Sequence, residues 1–132
     1  MSRSALLVLL TAVELNGCMF GTTPSGFRPA TAPQGTAVVI QTRGGATLRG
    51  EMLAISDTAL TMAASGRIVL VPYAVLNSAW LPDLGTRFDS RGPSVRSYER
   101  VRLHCRFPQG TTPELLERLL EAYDQPELEI AS

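Results

Sequence analysis

Gly50 sits in the middle of "ATLRGEMLAI" (46–55), a run that otherwise reads as one long strand. An interior glycine weakens a strand, so its place there marks a bulge or a sharp bend. The flanking sequence has the same character. "AVVIQT" (37–42) is short and β-branched, "RGG" (43–45) offers a hairpin turn, "SD" (56–57) turns, and "TALTMA" (58–63) alternates. "SG" (65–66) turns again, "RIVLVP" (67–72) is a nearly continuous apolar run closed by Pro72, and "AVLNSAWL" (74–81) follows a helical turn at "PYAVL". Five short strands in about 45 residues, one of them bent at Gly50, imply a small closed barrel in which the bent strand serves both sides.

Residues 37–81 resemble the Sm-like (LSm) family, whose SH3-like barrel has five strongly bent strands. Val39, Gly45, Leu48, Gly50, Met52, Ile55, Asp57, Leu60 and Met62 fall at the spacings of the family's first motif. The apolar run 68–71 and the aliphatic residues 75 and 76 match the second motif loosely. These are scaffold positions, so the resemblance implies a fold. The RNA-reading positions do not carry over: Thr61 stands where the family places a base-contacting Asn, and Val71-Pro72 where it places Arg-Gly. Barrels of this kind often assemble through exposed strand edges, which leaves a homo-oligomer open.

The N-terminus points to the cell envelope. Arg3 supplies a positive start, Ala5–Val13 an uncharged apolar run, and Glu14 ends it. Nine helical residues rise only about 14 Å, half a bilayer core, which suits a cleavable export signal and not a membrane span. "LNGC" (15–18) then resembles a bacterial lipobox, with Cys18 as the lipid acceptor, although Asn16 and Glu14 depart from the usual pattern. Met19 is not the Asp of the familiar inner-membrane retention signal, which favours the outer membrane. Residues 1–17 are thus expected to be a signal peptide and Cys18 the membrane anchor. Residues 18–36, rich in Pro, Gly, Ser and Thr, are expected to be a tether.

Beyond residue 81 the expectations are a polar loop (82–97), an added strand, an amphipathic helix and a frayed acidic tail (124–132). "YERVRLHCRF" (98–107) alternates: Val101, Leu103, Cys105 and Phe107 one way, Arg100, Arg102, His104 and Arg106 the other. In "PQGTTPELLERLLEAY" (108–123), Thr111 and Glu114 fit a capping box and Pro113 a first helical turn. Leu115, Leu116, Leu119, Leu120 and Tyr123 make an apolar stripe, expected to pack on the barrel's open end. The expected fold is therefore mainly β, a five-stranded Sm-like barrel with an extra strand and a C-terminal helix.

The chemistry-bearing residues are few. His104 is the single histidine, and a strand would turn it away from Cys105, so no metal site is expected. No Gly-x-Ser-x-Gly elbow or phosphate loop occurs, and no catalytic residue or cofactor is assigned. If Cys18 is lipidated, Cys105 has no disulfide partner. Twelve Arg balance twelve acids, and zero net charge argues against a general nucleic-acid binder. The Arg row (Arg100, Arg102, Arg106 with His104) is the candidate anion-binding face, toward an anionic lipid or an acidic protein partner. These features imply a membrane-anchored, non-catalytic binding or assembly module. The alternatives are a cytosolic Sm-like RNA-binding ring with an uncleaved N-terminus, and a hydrolase built on His104.

Overall fold

The computed structural model describes residues 34–132, so the expected signal peptide (1–17), the expected anchor Cys18 and nearly all of the expected tether lie outside the described residues. The chain runs β1 (Ala37–Thr42), β2 (Thr47–Ile55), β3 (Ala59–Ala64), β4 (Arg67–Pro72), a 3₁₀ turn (Tyr73–Val75), β5 (Leu76–Leu81) and β6 (Thr86–Phe88). Two helices follow, α1 (Val95–Leu103) and α2 (Pro113–Ala122), and a two-residue strand β7 (Glu129–Ile130) ends it. All seven strands join one mixed sheet in the order β6-β5-β1-β2-β3-β4-β7, in which only the β4–β7 pair is parallel. The protein is a small, mainly β fold.

Strand β2 changes partner just past Gly50, and its irregularity lies between Met52 and Ala54, not at the glycine. Residues 47–51 of β2 pair with β1, and residues 51–55 pair with β3 across a bulge between Met52 and Ala54. A Cβ on Gly50 would run into the carbonyl oxygen of Ala63, so only glycine lets β2 and β3 approach this closely. Once β2 leaves β1, its free edge is taken by other backbone. Met52 N donates to Thr36 O (2.9 Å), while Arg106 N and Phe107 N donate to Met52 O (3.1 Å) and Leu53 O (2.8 Å). The β3–β4 hairpin turns through Ser65 (φ 52°) and Gly66 (φ 72°), both in the left-handed region that matches strand twist.

Alternation does the rest. Val38 and Ile40 of β1, Met52 of β2, Leu60 and Met62 of β3, Val71 of β4, and Leu76 and Leu81 of β5 are buried together. Tyr73 and Phe88 join them edge-to-face, with centroids 5.8 Å apart. Each such side chain contributes about 1.5–3 kcal/mol of burial.

Several expectations fail in the C-terminal part. Residues 98–107 are not a strand: residues 95–103 are helix α1, opened by Ser94, whose Oγ accepts from Ser97 N at 3.2 Å. Val101 and, just past the helix end, Cys105 are buried in the core and Tyr98 packs against it, while Leu103 and Phe107 stay half-exposed. The alternation was real, but a single i, i+4 pair satisfies it as well as a strand does. The loop assigned to 82–97 also contains β6 and the start of α1. The tail is not frayed either: Gln125 is buried and Glu129–Ile130 pair with β4. Helix α2 lies where expected, with Pro113 in its first turn, but its cap is Thr112, whose Oγ1 accepts from Leu115 N at 3.1 Å. Its four leucines and Tyr123 are half-buried, and none joins the main core.

Candidate functional site

Helix α1 disperses the residues that strand alternation would have placed in one row. Successive helical residues are turned by about 100°, so Arg100 and Arg102 no longer share a face. Arg102 is committed within the chain: Nε and Nη2 donate to Glu99 (2.9 and 2.6 Å) and Nη1 donates to Pro108 O (2.7 Å). Arg106 lies 3.8 Å from Glu51 across the strand edge that its own backbone covers. His104 caps the helix end with Nδ1 2.7 Å from Arg100 O. Arg100 is exposed. The fold therefore does not present these four residues as a single anion-binding row.

Cys105 is closed away. Its Sγ donates to Val101 O (3.3 Å), and burial pushes the thiol pKa up to about 12, so it is neutral near pH 7. Among the described residues no group of three or more His, Cys, Asp and Glu side chains converges as a metal site would require. No described helix is long and apolar enough to cross a membrane.

What the fold builds instead is an open furrow made of three connected hollows. The first, about 610 Å³, lies between the β5–β6 pair and the loop 89–94, lined by Ser78, Arg87 and Asp89. It shares Arg91, Pro93 and Val95 with a second of about 290 Å³, floored by Tyr73 and walled by Tyr98 and Asp57. The second shares Ser56, Asp57 and Tyr98 with a third of about 430 Å³, which reaches Thr61, Leu70 and Gln109.

Each wall is fixed from below. Tyr73 OH donates to Ser56 O (2.8 Å), which holds the β2–β3 turn against the 3₁₀ turn. Gly92 (φ 77°) lies on the Tyr73 ring, where a Cβ would come within 2.7 Å of Cε2. Asp89 accepts from Arg91 N (3.0 Å), Nε (3.1 Å) and Nη2 (3.0 Å), and these bonds pull its pKa down to about 2. The Arg91 side chain is thereby held at the furrow's edge, next to Val95, which is 96% exposed. The rim of the furrow therefore carries an exposed β-branched residue, the Arg91 guanidinium paired with Asp89, and Tyr98.

Sequence reasoning missed this furrow because its residues come from four separate segments, within 54–61, 70–78, 87–98 and 109–112. The one local signal was "DSRGP" (89–93), an Asp-led turn directly before a Ser cap. No family model, curated protein or solved structure matches this chain.

Proposed function

We propose that this chain is a lipid-anchored envelope protein whose folded part is a non-catalytic binding or assembly module, attached through Cys18 to the outer membrane. The "LNGC" sequence at 15–18 supports the anchor, and Met19 after it supports the outer-membrane destination. The module reading is carried by one observation: the furrow displays Val95 and Tyr98 of α1 beside the Asp89-paired Arg91 of the loop 89–94, while the thiol stays buried.

The five-stranded Sm-like barrel is the finer form of this reading. Its support is the inner strand order β5-β1-β2-β3-β4, the close approach of β3 at Gly50 and the 3₁₀ turn between β4 and β5. On this reading β6, β7 and the helices are additions. The RNA-binding ring has less support, since the outer edges of β4 and β5 already carry β7 and β6.

Metabolic labelling with a clickable palmitate analogue in the native host tests the anchor. The wild-type protein is expected to label and the Cys18→Ala variant not to; absence of label from both ends the anchoring claim.

A further inference from the structure

Strand register brings together four side chains that the sequence keeps far apart. Arg87 of β6 pairs with Trp80 of β5, Trp80 with Val39 of β1, and Val39 with Arg49 of β2. Their strand neighbours Phe88, Leu81, Ala79, Val38 and Ile40 are buried, so this row faces the opposite way, to solvent. With strands about 4.8 Å apart, it spans roughly 14 Å as Arg-Trp-Val-Arg.

We propose that this outward face lies on the anionic headgroup surface of the membrane that holds Cys18. Trp80 is the chain's single tryptophan, and it is half-exposed on a sheet face, where its ring supports the Arg87 guanidinium at 4.9 Å. Tryptophan has an apolar body with one polar edge, which suits the boundary between acyl chain and headgroup. Guanidinium groups on either side suit phosphate oxygens, which they bind in bidentate fashion. Arg43, exposed in the β1–β2 turn, adds a third positive charge at one end of the face.

The acids nearby do not cancel this. Glu51, two residues along β2, accepts from Gly35 N (2.8 Å) and faces Arg106. Asp83 stands in the turn between β5 and β6, outside the row.

Chain length makes the membrane the favoured occupant over a protein or nucleic acid. The proposal rests on the anchored reading. Eighteen residues (19–36) separate Cys18 from Ala37. Even fully extended, a stretch of that length spans no more than about 65 Å. A domain of about 100 residues has a radius of gyration of about 13 Å, so the anchor keeps its surface within reach of the bilayer at all times. The first strand among the described residues is β1, which carries Val39 at the centre of the row. Weak contacts therefore suffice, because they form at high effective concentration.

The single tryptophan makes the test direct. Full-length lipidated protein is reconstituted into vesicles of phosphatidylcholine with about one third phosphatidylglycerol, with and without brominated acyl chains. Trp80 emission is expected to shift to shorter wavelength and to fall about twofold or more with the brominated lipid. The Arg49→Glu/Arg87→Glu double variant, folded by circular dichroism and still anchored, is expected to lose that quenching. Arg96→Glu, an exposed change on α1, is expected to retain it. Lipidated protein whose Trp80 emission ignores the brominated lipid overturns this proposal and leaves the anchoring reading intact. The same result follows if single-stranded RNA or a soluble acidic peptide changes Trp80 emission and the vesicles do not. Cys18 found unmodified by mass in the same preparation overturns the anchoring reading, and this proposal with it.

Discussion

The two edges of the central sheet are closed in opposite ways. On the β5 side the turn 82–85 brings back β6, with Gly85 (φ 60°) donating to Pro82 O at 3.3 Å. That closure is local and apolar: Leu84 and Phe88 sink into the core as the strand pairs. On the β4 side the closure comes from 57 residues further along the chain, and it is polar. The buried Gln125 amide stands in for a peptide unit, with Oε1 accepting from Ile68 N (2.8 Å) and Nε2 donating to Ile68 O (2.9 Å). Parallel β7 then continues the ladder, and Ala131 N donates to Leu70 O at 2.9 Å. An open edge strand is a template for pairing with another chain, so both ends are protected. Only the first protection is part of the core. The second is a latch laid over a sheet that is already complete.

That distinction ranks the consequences of damage. Phe88→Ala empties core volume beside Tyr73 and is expected to cost about 3–4 kcal/mol, read as a lower urea midpoint with an unchanged slope. Gln125→Leu keeps the bulk but strands the Ile68 N–H and C=O, and is expected to cost about 2 kcal/mol. It should also do what Phe88→Ala does not, which is to promote concentration-dependent association through the uncovered β4 edge, seen by light scattering. If Gln125→Leu stays monomeric at a stability equal to wild type, the latch is not what protects that edge. If Phe88→Ala associates as strongly, the two closures are the same kind of thing.

The same contrast explains how much could be read from sequence. Strands β1 to β5 were legible because their burial depends on neighbours a few residues away, and Gly50 marked a special place in β2, which proves to be a close approach to Ala63 O. The latch was illegible: a glutamine in a polar tail carries no period, and its partner is a backbone amide in β4. Helix α1 was misread for a related reason. Val101 is its one buried residue and Cys105 lies just past its end, too few positions to separate a period of two from 3.6. The decisive signals were the Ser94 cap and the Glu99–Arg102 pair, three apart as on a helix. The furrow and the Trp80 row depend on register between distant strands. No reading of single segments assembles them.

The smallest effect belongs to the ion pair that fastens the latch from outside. Arg67 Nε donates to Glu129 Oε2 at 2.8 Å, joining the start of β4 to β7. Both side chains are about half exposed, 52% and 48%, so water and salt screen the pair and ordering two long side chains offsets part of the gain. Arg67→Ala is expected to cost less than about 1 kcal/mol. A double-mutant cycle with Glu129→Ala should give a coupling of a few tenths of a kcal/mol that shrinks in high salt. Most of the latch's strength would then reside in the buried amide of Gln125. A coupling of about 2 kcal/mol or more would reverse that order. It would mean that the latch is held by charge at its rim, and that salt alone could release the β4 edge.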